Sequence, residues 1–362
     1  MTRPVQARSG LRGRLSRLTD TNLLTSITVV VFVVMYLCAI LFLQKGFLKP
    51  QTFFNMLNAN AALIILSCGM TLVMISGGID ISVGGVTALV SMCCAVYLDY
   101  HGGNLFCSLL ISLGIGLAFG LVQGYLIAYL EIQPFIVTLA GMFFARGMTT
   151  IVHSAPFNVA HEGLISLKDA RLSLPFIGSY NKRGVFIPAY MEIGVPAALL
   201  VVALLFVILK WSRTGRSFYA VGGNRQSALM LGINVKRTTF IAYLLCGLLA
   251  GLGGFVFFVH VGSGSPAHAA GYEMNAIASS IIGGTMLTGG VGNVVGTFFG
   301  VMSLALIQNI VSSVGFDQPW WTGITTAAML CMFLVVQSII IVQRKKHNQS
   351  AVPAETEKGV ST

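Results

Sequence analysis

The sequence predicts an all-α polytopic membrane protein, and three observations carry that prediction. Of 362 residues, 55% are hydrophobic and only 9% charged; the mean hydropathy is +0.83; and the apolar residues gather in runs long enough to cross a bilayer. A soluble chain carries about 25% charged residues, so a water-soluble globule is excluded, together with a disordered chain, a coiled coil and a disulfide scaffold. No run alternates apolar and polar residues as a barrel strand does, which leaves helices as the spanning element.

At 1.5 Å per residue, about 20 residues cross roughly 30 Å of hydrocarbon. Ten runs serve: 23–43, 53–76, 81–98, 105–130, 133–152, 191–210, 238–259, 274–288, 292–314 and 320–343. The eighth is the weakest, because Gly283, Gly284, Gly289 and Gly290 make it short and interruptible, so the count lies between eight and eleven. The first follows Arg3, Arg8, Arg12, Arg14 and Arg17, but its core is too long for a signal peptide and no small-residue cleavage site follows Leu43.

Those five arginines place the amino terminus in the cytoplasm, and ten crossings return the carboxyl terminus to the same side, where Arg344, Lys345 and Lys346 follow the last run. The segment 211–237 falls inside as well and holds no acid. In this topology fifteen of the 22 Lys and Arg residues lie inside, six lie outside and Arg146 lies within a span. The expected organisation is a basic cytoplasmic segment (1–22), a ten-helix domain (23–343) with an outer loop at 153–190, and a polar, disordered cytoplasmic tail (344–362). The pI near 9.5 then reports topology and contact with anionic membrane lipid, and no nucleic-acid partner is needed to explain it.

Runs four and nine each carry a glycine ladder, Gly116, Gly120 and Gly124 in one and Gly292, Gly296 and Gly300 in the other. Glycines four apart share a helix face and admit another backbone closely. The bland reading is general helix packing. The sharper one notes that the ladders are five runs apart, and two five-span halves of opposite topology form an inverted repeat.

The chain has no HExxH, GxSxG or GxxxxGK[ST] motif. Its seven cysteines lie in or beside apolar runs without metal-ligand spacing and read as packing residues. Only Arg146 and the marginal Asp80, Glu131, Glu192 and Glu273 approach the membrane interior, which is too few for a proton relay. The sequence predicts a chain that is no enzyme, binds no cofactor or metal, and takes its energy from a partner.

Two segments interrupt this pattern. Ser76 to Gly85 breaks two apolar runs with Gly77, Gly78, Asp80 and Ser82; Asp80 reads as an N-cap of the next helix, and the break also fits a discontinuous helix lining a path. Between runs six and seven, Gly215, Arg216, Gly223 and Asn224 lead into a short helix over 225–231, capped by Asn224 and stopped by Gly232. With Arg225, Ala228, Leu229 and Leu231 it forms either an interfacial helix on lipid or a docking helix for a cytoplasmic protein, the preferred reading. Arg146 either snorkels outward or meets an acid or an aqueous path. Asn275, like Asn58, Asn60, Gln123, Gln308 and Asn309, reads as interhelical glue before ligand contact. The outer loop, longer than ordinary connections, is a landing surface for a soluble partner.

Taken together the motifs resemble the permease subunits of bacterial ABC importers for monosaccharides, the ribose, xylose, arabinose and galactose group. The likeness rests on Gly69-Met70-Thr71 through Gly84, Thr138 to Met142, Thr214-Gly215-Arg216 through Gly232-Ile233, and Ile282 to Gly292. Ala140 to Gly147 and Trp320-Trp321-Thr322 look most like galactofuranose permeases. The resemblance implies a cytoplasmic ABC ATPase, a periplasmic sugar-binding protein, a second permease subunit, alternating access, an inner-membrane location, and residues 214–233 as the coupling element. The competing class is an ion- or proton-coupled secondary carrier or channel, with a membrane-embedded enzyme a distant third.

Overall fold

Runs one to seven and nine each fold as one uninterrupted helix in the computed structural model, which describes residues 20–43, 47–180, 185–315 and 318–350. In chain order the helices are α1 (Asp20–Leu43), α2 (Pro50–Ile75), α3 (Val83–His101), α4 (Leu105–Ala128), α5 (Pro134–Val152), α6 (Glu162–Asp169), α7 (Gly194–Trp211), α8 (Arg213–Gly223), α9 (Arg225–Met230), α10 (Val235–Val261), α11 (Tyr272–Ile282), α12 (Val294–Ser313) and α13 (Pro319–Ser350). Four short strands complete the described chain: β1 (Phe157–Asn158), β2 (Leu172–Tyr180), β3 (Phe186–Met191) and β4 (Ser263–Gly264). Eight helices among the described residues are long and apolar enough to span a membrane, and Gly323–Val335 within α13 is a shorter apolar stretch.

Run eight is corrected. It crosses not as one helix but as the 11-residue α11, about 16 Å long, preceded by an irregular stretch from Gly262 and followed by a glycine-rich loop; together they carry the chain from His260, near the start of α2, to Gly290 at the end of α2. The long loop at 153–190 folds locally: β2 and β3 form an antiparallel hairpin with a bulge between Leu174 and Gly178, and β1 pairs with β4. Residues 344–350 of the tail, expected to be disordered, continue α13. The basic segment before Asp20 and residues 351–362 lie outside the described residues.

The centre of the bundle is α2. Eighteen of its 26 residues are buried, as expected of a helix apolar on every face. α10, α11 and α12 pack around it, and the few polar side chains bond across helices: Thr71 Oγ1 lies 2.6 Å from Thr297 Oγ1 and donates to Ser280 Oγ at 3.1 Å. Outer helices turn large apolar side chains outward, Phe42, Val122, Phe143, Phe144 and Leu200 among them, a surface suited to hydrocarbon and not to water.

The two ladders pack differently. Gly116 and Gly120 meet Gly247 and Gly251 of α10, and an added Cβ on Gly247 would sit 2.5 Å from the Gly116 carbonyl oxygen and 2.6 Å from Gly120 Cα. Gly124 abuts Phe240 and Tyr243. Of the second ladder, Gly296 and Gly300 press on Gly283 and Ser279 at the end of α11, while Gly292 precedes α12 and faces the side chains of Ile75 and Thr285.

Candidate functional site

Two helix breaks and one connecting segment converge at the end of the bundle that carries α8 and α9. The first break begins where α2 stops. Ser76 closes the helix, Gly77 takes φ +88°, its N–H donates to the Met74 carbonyl at 3.0 Å, and the Gly78 N–H donates to the Val73 carbonyl at 3.0 Å. This paired closure satisfies two terminal carbonyls and needs a residue that adopts a left-handed backbone, which is glycine's property. It leaves the Ile75 carbonyl unused, and that oxygen accepts from the Gly290 N–H at 2.9 Å. Gly290 belongs to the second break, the loop after α11, where the Met286 N–H reaches the Val291 carbonyl at 3.0 Å.

The third part is the end of α8. Gly222 lies directly on this inter-break bond: a Cβ there would overlap the Ile75 carbonyl oxygen and stand 2.6 Å from the Gly290 amide nitrogen. Gly223 and Gly290 approach as closely, with a Cβ on Gly290 only 2.6 Å from Gly223 Cα. One turn earlier in α8, Tyr219 donates its hydroxyl to the Gly292 carbonyl at 2.8 Å; burial pushes this phenol up to about 12, so it stays protonated and remains a donor. The segment between α7 and α10 is thus held to both breaks by direct backbone contact at Gly222 and Gly223, with the Tyr219 hydroxyl as a further tie.

A partly open cavity of about 300 Å³ lies beside this junction. Ser76, Gly77 and Gly78 form one wall and Val221 to Arg225 another; Ile127, Glu131, Ile132, Pro134, Thr239, Tyr243 and Thr288 close it. Glu131 stands at its edge, 3.2 Å from Lys236 Nζ and 3.9 Å from an Arg225 guanidinium nitrogen. These side chains are about half exposed, so the contacts orient the α4–α5 turn against α9 and α10 more than they stabilise the fold. A larger groove of about 450 Å³ between α4 and α5 is lined almost wholly by apolar side chains, Phe119, Val122 and Phe144 among them, and offers a polar solute little.

The coupling residues divide by position. Asn224 caps α9 through its side-chain oxygen, which accepts from the Ser227 N–H at 2.8 Å, and Gly232 with φ +78° ends the helix as predicted. Leu229 and Leu231 are 51% and 77% exposed, and Met230 between them 80%. Ala228 is a correction: it is buried against Val221 and Val235, so it anchors α9 to its own chain. Gly215 sits at the α7–α8 corner, its N–H donating to Ser212 Oγ at 2.9 Å, and Arg216 donates to the Trp211 carbonyl at 3.2 Å.

The path candidates lie at several places in the bundle. Gly77 and Gly78 line the cavity. Asp80, 2% exposed, accepts from the Ser82 N–H at 2.9 Å and the Ser82 hydroxyl at 2.6 Å; it braces the turn before α3 and does not cap the first amides of that helix. Ser82 Oγ also lies 3.2 Å from Gln123 Oε1, so Gln123 is interhelical glue as expected. Asn275 is half-buried on α11, away from the cavity lining.

Arg146 does not snorkel, and among the described residues it forms no ion pair within 4 Å. Its guanidinium donates to the carbonyls of His268 at 2.6 Å, Ala269 at 2.8 Å and Pro266 at 3.3 Å, pinning the irregular stretch that leads into α11. Arg146→Ala leaves three carbonyls without their charged donor and is expected to cost about 2 kcal/mol, read as a lower thermal midpoint of the detergent-solubilised chain. Arg146→Lys is expected to restore less than half, because one ammonium lacks the fork that reaches three acceptors.

Tyr219, Tyr243, Thr239 and the Ile75–Gly290 bond were not legible as site features. The Gly-Gly doublets at 77–78, 222–223 and 289–290 carried a partial signal, but the chain has further doublets, for instance at 102–103 and 253–254, that lie elsewhere.

The family model described as branched-chain amino acid transport system / permease component matches residues 52–334. The chain is similar to the inner membrane ABC transporter permease protein YjfF of Escherichia coli (strain K12), 37% identical over 332 residues, covering 91% of this chain and 96% of that protein. It is also similar to the fructose import permease protein FruG of Bifidobacterium longum (strain NCC 2705), 35% identical over 78% of this chain and 81% of that protein. The ribose import permease protein RbsC of Escherichia coli (strain K12) is 31% identical over 81% of this chain and 88% of that protein. No solved structure matches.

Proposed function

The chain belongs to the family of branched-chain amino acid transport system permease components, and we propose that it is the membrane path of an ABC importer whose cargo is a monosaccharide. It is a multi-pass inner-membrane protein and not itself an ATPase; hydrolysis belongs to a separate subunit, and a substrate-binding protein is the other partner that the family implies. We assign the α8–α9 face to the cytoplasm, with both termini on that side, on the strength of its uninterrupted basic charge. The loop at 153–190 then faces outward as the landing surface for the binding protein, and a second copy or a paralogue completes the path. Alternating access driven by ATP is the mechanism we infer, with galactofuranose the favoured sugar on the likeness of 140–147 and 320–322.

One observation carries this reading: α9 presents Leu229, Met230 and Leu231 outward while the end of α8 holds both helix breaks by backbone contact. A protein seated on α9 therefore pushes on the breaks without a flexible intermediary. The family description names branched-chain amino acids, whereas the relatives are named for fructose and ribose; the hydroxyl and amide groups of the cavity favour the sugars.

The test is the double variant Leu229→Asp/Leu231→Asp, coexpressed with the partner ATPase. Neither side chain is buried, so the chain should insert normally, while two charges facing an apolar groove should reduce ATPase recovery at least tenfold on copurification. Undiminished recovery would place the docking surface elsewhere. ATP-independent, proton- or sodium-driven uptake by the chain alone would establish a secondary carrier.

A further inference from the structure

We propose that the cavity of about 300 Å³ at the α8–α9 face is a monosaccharide-binding site of its own, loaded from the cytoplasmic side as a product site. The assignment of sides rests on the reading above; the binding chemistry does not. The volume stands at the lower end of the range that small-molecule sites occupy.

Its lining suits a small polyol. The Thr239 and Thr288 hydroxyls and the Asn224 side-chain amide nitrogen have no hydrogen-bond partner among the described residues. They offer hydroxyl and N–H groups of the kind that pairs with neighbouring sugar hydroxyls. Glu131 adds a carboxylate acceptor at the rim, where Lys236 and Arg225 already hold it in place. Ile127, Ile132 and Pro134 supply an apolar wall against which the C–H face of a pyranose or furanose ring can lie. A branched-chain amino acid fits this set poorly, because the charged groups are confined to one edge and already face one another.

The position gives the site a consequence. Its walls are the α4–α5 turn, the first helix break, Thr288 from the second, and the segment from Val221 to Arg225. A sugar bridging these walls holds the α8–α9 segment in its present place and so favours this conformation over any other by its differential affinity.

The test measures equilibrium binding to the purified full-length chain in lipid nanodiscs, without the ATPase, using ribose, xylose, fructose and galactose as probes and leucine as the comparison. Saturable binding of at least one sugar and none of leucine is expected. Thr239→Val/Thr288→Val, which keeps side-chain shape, should weaken that sugar roughly tenfold or more. Gly223→Leu should weaken binding at least tenfold by placing bulk on a lining residue; a Cβ at Gly223 meets nothing within 4 Å, so the fold should stay intact, checked by an unchanged thermal midpoint. The proposal is overturned if no sugar binds the wild-type chain, if leucine binds in their place, or if the binding survives both variants unchanged. Leu229 and Leu231 do not line the cavity, so failure of the docking test leaves this result standing, and failure here leaves the docking test standing.

Discussion

Gly222→Ala is expected to abolish uptake while leaving the transporter assembled. The substitution adds one methyl group where the Ile75 carbonyl oxygen already lies, 2.6 Å from the amide nitrogen that bonds to it. Neither neighbour is a side-chain end that can swing aside; both are backbone atoms of the helix breaks, bonded to each other. The methyl either severs the Ile75–Gly290 bond or displaces α8 outward. Overpacking of this kind costs about 1–3 kcal/mol, and the lost hydrogen bond about 1 kcal/mol more. If that strain falls on one conformation of a transport cycle, each 1.4 kcal/mol shifts its population tenfold. ATP-driven sugar uptake in vesicles should fall at least tenfold, whereas copurification of the ATPase should not change, because Leu229, Met230 and Leu231 remain exposed. That pattern is the reverse of the Leu229→Asp/Leu231→Asp expectation, so the two variants separate docking from transmission. Uptake within twofold of the unsubstituted chain would mean that the junction yields, and transmission would have to run through other contacts.

The parts of this site that the sequence announced are those governed by local rules. Asn224 before a short apolar turn and Gly232 after it follow capping chemistry, which acts within five residues, and the structure places both as expected. The apolar runs were legible because a bilayer imposes one length and one composition on every crossing. Run eight failed for a physical reason: hydropathy scores composition, and Ile281, Ile282, Met286 and Leu287 are apolar whether or not a helix continues through Gly283 and Gly284. Arg146 and Asp80 were misread because their partners are carbonyls and a serine, groups present everywhere in the chain, so that no spacing marks them. The junction of Ile75, Gly222 and Gly290 was invisible for the same reason at longer range. It joins three segments separated by scores of residues through main-chain atoms alone, and a main-chain contact leaves only a small residue as its trace.

The largest loss of stability is expected from Gly116→Ile or Gly247→Ile at the contact of α4 and α10. Each glycine lies against the other's backbone: a Cβ on Gly116 would overlap the Gly247 carbonyl oxygen and fall 2.8 Å from Gly251 Cα, and one on Gly247 would fall 2.6 Å from Gly120 Cα. The obstruction is main chain on both sides, so no rotamer relieves it and the helices must separate along the ladder. In a membrane this matters more than in water, since association of helices there rests on close packing and not on a hydrophobic force between them. The expected cost is at least about 3 kcal/mol, the upper part of the overpacking range, seen as loss of the folded chain in detergent or a sharply lowered thermal midpoint. Gly114, on the same helix, supplies the control: nothing lies within 4 Å of its added Cβ, and Gly114→Ala should be neutral or stabilising by up to about 1 kcal/mol through helix propensity. A ladder that merely reflects the abundance of glycine in membrane helices predicts similar small effects at 114 and 116. Equal midpoints for Gly114→Ala and Gly116→Ala would decide for that view, because the single methyl at 116 already meets backbone whereas the one at 114 meets lipid.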